Sequence, residues 1–281
     1  MTVPAPPPRP SAWQAWGRHV VLFLLTVVSV LLVGGPFLAF GVLTIMLTHE
    51  FGHYFACRYY GIDATLPFFI PFPSLVGTLG AFIRIKSPFP HRRALFDVGI
   101  AGPLAGFVVT LPVLIFGLYG AYFVPDSDAQ GGLMLGDPLL LQWLARLFLG
   151  PTPEGMTLVL GPMGLAGWFG LFLTGLNLLP IGQLDGGHVT YALLGKRASF
   201  VSRLGFWACV GLIYFGPNWL VWSVLLLLLG RQHPRTLADH ERVGDGRAVV
   251  GVLGLVVFIL CFVPDPIVGS WQMLRQLVTS R

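Results

Sequence analysis

Three ionisable side chains fall within five positions of an otherwise apolar run: His49, Glu50 and His53, in residues 45–58 (IMLTHEFGHYFACR). Four residues apart on a helix, the two histidines share a face, about 6 Å apart along the axis. Two imidazoles so placed can bind one Zn²⁺ through bonds of about 2.0–2.1 Å. Glu50 lies beside that point without having to ligate the metal, where a carboxylate can take a proton from water. This H-E-x-x-H spacing is the pattern by which one helix offers zinc two ligands and a general base. Chance is a poor account of it, because burying such groups without partners costs several kcal/mol each.

Two imidazoles leave a tetrahedral zinc short, and catalytic sites use three protein ligands. The segment 177–188 (NLLPIGQLDGGH) supplies Asp185, the lone acidic residue between positions 155 and 238, with His188 three residues on as a rival. A helix broken at Pro180 and Gly182 and restarted near Gly186–Gly187 can aim a carboxylate inward. Asn177 is a neutral donor that can serve a peptide carbonyl or an oxyanion, or make an interhelical hydrogen bond.

The elements holding these groups are apolar. Of 281 residues, 29 are charged, or 10 %, and 55 % belong to the apolar set. An ordinary soluble domain carries about 25 % charge. So sparse a charge cannot cover a soluble globule, and so high a hydrophobicity excludes a disordered chain. The net charge of +5 does not signal nucleic acid, because the basic residues sit in short clusters between apolar runs. The expected fold is an all-α polytopic membrane protein of about six transmembrane helices, at 20–33, 37–60, 95–122, 163–180, 204–229 and 249–263. Residues 1–11 read as a disordered Pro-rich tail, and 12–281 as a single integral-membrane domain. Cys57, Cys209 and Cys261 read as thiols buried in the membrane.

Charge in the connections sets the expected topology. Arg58, Arg84, Lys86, Arg92 and Arg93 place 58–93 in the cytoplasm, and Asp126, Asp128, Asp137 and Glu154 place 123–162 on the other side. The conflict comes at 230–247, whose arginines also belong in the cytoplasm. A single span over 204–229 would put them outside; a hairpin of two half-helices turning at Gly216–Asn218 would not. Residues 76–86 (VGTLGAFIRIK) alternate like a short strand. Beside membrane spans its backbone needs a partner from protein or water. Gly77, Thr78, Leu79, Gly80 and Ala81 are expected either to hold an unwound substrate segment by strand addition or to pair only within the protein.

HEFGH on one apolar run and NLLPIGQLDGGH after a later one resemble the site-2 protease family of intramembrane zinc metalloproteases. Residues 77–106 (GTLGAFIRIKSPFPHRRALFDVGIAGPLAG), 230–241 (GRQHPRTLADHE) and 262–267 (FVPDPI) are similar to its bacterial branch. The resemblance covers roughly residues 35–270. It implies one Zn²⁺ per chain held by His49, His53 and Asp185, with Glu50 as general base. It implies a catalytic core within about 37–195 and a β-hairpin near 65–86 that dips into the membrane. It further implies cleavage of single-span membrane proteins in the bilayer of a prokaryotic cell, with the site towards the cytoplasm. The sequence departs from some relatives in lacking a PDZ insertion at 123–162 and a CBS domain at the carboxyl end. Two rival readings are a zinc transporter, which would need ligands spread along a path, and an inactive scaffold, which need not keep His49, Glu50, His53 and Asp185 together.

Overall fold

The computed structural model describes residues 12–129, 134–229 and 236–279. The expected tail at 1–11 and the first half of the 230–241 motif lie outside the described residues. The chain opens with α1 (Ala12–Tyr59), which is two helices laid end to end. The join is non-helical at Gly34 (φ −143°, ψ 15°) and Gly35 (φ 72°, ψ −171°), and Pro36 follows. A positive φ is cheap only for glycine, and proline suits the first turn of the helix that restarts. The boundary expected after residue 33 is therefore real.

A hairpin follows, β1 (Phe68–Pro71) and β2 (Thr78–Phe82), paired antiparallel with Phe68 opposite Phe82 and Phe69 opposite Ala81. It rests on the first half of α1. Phe69 meets Phe23 edge-on at 5.0 Å, and a side chain at Gly77 would strike the Val30 main chain at 2.6 Å. Next comes α2 (Arg92–Tyr119), capped by the His91 side chain, which accepts from the Ala94 N–H. This helix is the axis of the molecule. Its Leu95, Phe96, Ile100, Leu114 and Leu118 are buried against Trp168, Leu171, Val189 and Val257.

The connection after α2 is more structured than its acidic residues suggested. It contains β3 (Tyr122–Pro125), a one-turn α3 (Asp126–Ala129), α4 (Leu139–Leu149) and β4 (Met156–Val159). β3 and β4 pair antiparallel, Tyr122 opposite Val159. Four-residue strands are too short to print a period on the sequence. Then come α5 (Pro162–Asn177) and α6 (Asp185–Leu194).

The path of 198–229 answers the topological conflict. α7 (Ala198–Gly211) and α8 (Asn218–Leu229) are separate helices, joined by a 3₁₀ turn and Gly216-Pro217. Phe206 and Cys209 of α7 share one core cluster with Trp219 and Leu226 of α8. At the turn, Trp219 Nε1 donates to Pro264 O at 2.6 Å, beyond the end of α9 (Asp245–Cys261). Just before the turn, Ile213 O accepts from Trp271 Nε1 of α10 (Ser270–Thr279) at 3.0 Å. Residues 236–247 lie at the opposite end. Leu237 N donates to Phe89 O at 3.0 Å and Ala238 N to Pro90 O at 2.9 Å, beside the start of α2. The chain thus goes out along α7 and returns along α8.

The protein is mostly helical with two small antiparallel sheets. Among the described residues, Trp16–Tyr59 and Arg92–Tyr119 are long and apolar enough to cross a membrane. The other expected spans are present as helices of 16 (α5), 14 and 12 (α7, α8) and 17 (α9) residues. Proline and glycine cut them short of the ~20 residues a straight crossing needs.

Trp219 pins the α7–α8 turn to the end of α9. Trp219→Ala should lower stability by about 3–5 kcal/mol, and Trp219→Phe by ~1 kcal/mol for the lost hydrogen bond. Thermal unfolding in detergent should rank them in that order.

Candidate metal centre

His49 and His53 lie one turn apart in the second half of α1, and Asp185 opens α6. The three meet. His49 Nε2 and His53 Nε2 are 3.2 Å apart, and Asp185 Oδ2 stands 3.3 Å from the first and 3.2 Å from the second. Donors on a tetrahedral ion with bonds of about 2.0–2.1 Å are about 3.3–3.4 Å from each other. The observed triangle fits one zinc-sized ion, and its two imidazoles and one carboxylate are ligand types zinc accepts. His49, Glu50 and His53 are all buried.

His53 is oriented from behind. Its Nδ1 lies 2.7 Å from Val98 O on α2. A carbonyl can only accept, so Nδ1 carries the proton and Nε2 keeps its lone pair for a metal. α2 also makes room for the rings. A side chain at Gly102 would begin 2.1 Å from His53 Nε2, and one at Gly106 would begin 3.1 Å from His49 Nδ1. Asp185 is aimed by a tight reversal between α5 and α6. A Cβ at Gly186 would meet Leu178 O at 2.1 Å, and one at Gly187 would meet Gly182 O at 2.3 Å. The helix restarts at Asp185 itself rather than at the glycines, and those glycines let it fold back against the residues it has just left.

Other expected site residues fall around this triangle. The Glu50 carboxylate lies beside the Ile83 main chain, one residue past β2. Asn177, the last residue of α5, places Nδ2 3.2 Å from His49 Nε2 and donates to it. Gly77 to Ala81 form the hairpin: Thr78 Oγ1 donates to Ile70 O at 2.8 Å and accepts from Gly80 N at 3.0 Å. His188 does not join the triangle; its ring centroid lies 5.9 Å from that of Phe89.

One polar group at this end of the molecule was not anticipated. Arg247, in the first turn of α9, holds Asp97 of α2 in a two-point grip at 2.8 and 2.7 Å. The Tyr60 hydroxyl donates to the same carboxylate. The cluster ties the end of α1, the start of α2 and the start of α9 together, one residue from Val98. No motif marks it, since its members are 37 and 150 residues apart. The glycines of α2 did have a signal in the run GIAGPLAG (99–106), whose small residues recur along one helix face.

The family model for peptidase family M50 matches residues 37–213, well over half of the chain. The chain belongs to peptidase family M50. The site-2 protease resemblance carried by HEFGH and NLLPIGQLDGGH is thereby borne out. Among curated relatives, the probable zinc metalloprotease EGY1, chloroplastic, of Oryza sativa subsp. japonica is 34 % identical over 238 residues, covering 80 % of this chain and 40 % of that protein. EGY2, chloroplastic, of Arabidopsis thaliana is 34 % identical over 225 residues, covering 78 % and 40 %. This M50 chain thus spans about two fifths of the length of those relatives. Among solved structures, the Site-2 Protease from Methanocaldococcus jannaschii aligns over 86 % of both chains at 17 % identity and a TM-score of 0.37. That likeness adds nothing to the family assignment.

Gly102→Ala should displace the His53 ring and weaken metal affinity by about 10–100-fold, the range for disturbing a ligand's supporting shell. Gly211→Ala, where an added Cβ meets nothing within 4 Å, is the control. Competition with a chelator reads both. Unchanged affinity in a folded Gly102→Ala protein would show that the glycine face does not set the ring.

Proposed function

We propose that this chain is an intramembrane zinc metalloprotease that hydrolyses peptide bonds within or beside transmembrane segments of single-span membrane proteins. One observation carries the reading: a His49–His53–Asp185 triangle of zinc dimensions beside the Glu50 carboxylate, inside apolar helices. His49, His53 and Asp185 would hold one zinc ion. When bound, it supplies Lewis acidity, which lowers the pKa of water and polarises a scissile carbonyl. Glu50 acts as general base: it takes the proton of the attacking water and hands it to the leaving amine nitrogen. Asn177 has its amide free to turn from His49 towards the oxygen of a bound carbonyl, to which it donates.

A helical substrate hides its peptide bonds and must unwind to be cut. β2 belongs to a two-stranded sheet, so one of its edges has no strand partner among the described residues. An extended substrate segment laid along Gly77–Ala81 takes up those groups and runs towards Glu50 through Ile83. Gly80, at φ 114°, cannot host proline, so Ala81→Pro is the variant that tests this. Cleavage of an extended substrate should fall while metal content stays; full cleavage would sink strand addition.

The reading includes a polytopic membrane domain over 12–281 with about six spans, the short helices crossing in pairs or at a tilt. Outward apolar side chains support it: Leu32 is 83 % exposed, Leu228 78 % and Val221 70 %. In water such a surface would drive association. The basic stretches 58–93 and 236–247 meet at the end of the fold where α2 begins, which supports a cytoplasmic mouth for the site. The proposed location is a prokaryotic cell membrane, on the resemblance of 77–106 to the bacterial branch; the named plant relatives are chloroplastic.

Glu50→Gln separates this reading from zinc transport. Both proteins should bind one zinc, and the variant should cleave a single-span reporter about 10²–10⁴-fold more slowly. Chelation should silence the wild type and zinc should restore it. Equal cleavage by both would overturn the assignment of Glu50, and equal zinc flux into liposomes without cleavage would favour a transporter.

A further inference from the structure

α4 (Leu139–Leu149) has one apolar face too many. Successive residues turn by about 100°, so with Leu139 at zero the helix divides into three sectors. Leu140, Leu141, Leu144 and Ala145 fall between about 100° and 240°. Leu141 is buried in the core cluster and the other three pack against it. Gln142 and Arg146, both exposed, fall near 300–340°. Leu139, Trp143 and Leu147 fall between about 0° and 80°. They form a stripe 39 %, 60 % and 75 % exposed. A surface helix in water needs a core face and a polar face. The third sector, holding a tryptophan and two leucines, has no partner among the described residues.

The surroundings say what covers it. Val108, Phe116 and Tyr119 lie within about 80° of one another on the outward side of α2. They are 63 %, 67 % and 75 % exposed. α2 is long and apolar enough to cross a membrane, so this is its lipid-facing side. α4 sits at the end of that side: Tyr119 packs edge-on against Phe148 of α4 at 6.0 Å, and Phe148 falls near 180°, so the stripe is turned away from α2 and outward. Tyr122, the first residue of β3, is 58 % exposed. Tyrosine and tryptophan favour the membrane–water boundary, where a ring meets acyl chains and its polar tip meets headgroups. A helix with an apolar flank and a cationic flank lies in that plane.

We infer that α4 lies in the bilayer surface, with Leu139, Trp143 and Leu147 among the acyl chains and Gln142 and Arg146 at the headgroups. Residues 122–129 and 134–159 then form a cap resting on the leaflet away from the metal centre, not a lobe in the aqueous phase. The inference rests on the membrane reading of α2.

The test uses the full chain in vesicles of phosphatidylcholine and phosphatidylglycerol. A nitroxide is placed singly at Leu139→Cys, Gln142→Cys, Trp143→Cys, Arg146→Cys and Leu147→Cys, with Val108→Cys as the mid-span reference. The native cysteines are buried, so unmutated protein should take no label. Oxygen collisions should exceed those with a water-soluble nickel complex at 139, 143, 147 and 108, and the ratio should invert at 142 and 146. Nickel prevailing at all five α4 positions while 108 reads lipid would overturn the inference and leave the membrane reading standing. Nickel prevailing at 108 as well would overturn both. Low collisions with both probes at 143 and 147 would mean a protein partner covers the stripe, which also overturns it. If Trp143→Cys loses its metal, Leu147→Cys carries the same comparison at a more exposed position.

Discussion

Two imidazoles and a carboxylate cannot lie among apolar helices unless they face one another. Each alone would pay the desolvation of a polar or charged group with nothing in return. Together they make a triangle of 3.2, 3.2 and 3.3 Å that one cation can satisfy. The packing of α1, α2 and α6 follows from this requirement. α2 must come close enough to put Val98 O behind His53, and only a face without side chains at Gly102 and Gly106 permits it. α6 must begin beside the second half of α1 with its first residue pointing at it. The reversal after Asn177 achieves this by pressing Gly186 and Gly187 against main-chain oxygens.

The elements outside this centre keep those three helices in register. The Gly34–Gly35 break frees the second half of α1 from the line of the first, so the hairpin can sit on one half while the ligands sit on the other. The Asp97–Arg247–Tyr60 cluster does a similar service at the basic end. It joins three helices by charge at the point where their apolar faces run out. A two-point Arg–carboxylate grip fixes orientation as well as distance, and here it fixes the turn of α2 that carries Val98. Among the described residues, the opposite half has no such latch. It is held by Trp219, Trp168 and Trp271, whose indole N–H groups each donate to a main-chain oxygen across elements.

The candidate site was legible in the sequence because charge is scarce. His49, Glu50, His53 and Asp185 could be picked out against apolar surroundings, and the geometry brings all four to one place. The first break in α1 and the turn at Gly216-Pro217 were legible for a related reason: glycine and proline are the residues a helix cannot absorb. What escaped was of two kinds. Short pairings such as β3 with β4 leave no period in four residues. Contacts between distant positions, such as Asp97 with Arg247 or His53 with Val98 O, leave no spacing at all. The six-span expectation was coarse because hydropathy counts apolar residues, whereas a helix is ended by its backbone. Runs that read as single spans are cut to 17 residues or fewer.

A peptidase in this setting has to bring water and an extended peptide into a place that excludes both. The arrangement of β2 bears on the second difficulty. A strand edge left open in hydrocarbon would cost several kcal/mol per unmet group, so there it would need a partner. Here the edge ends at Ile83, whose main chain lies beside Glu50. The segment that would pair with an unwound peptide and the side chain that would take a proton beside it are thus one continuous structure.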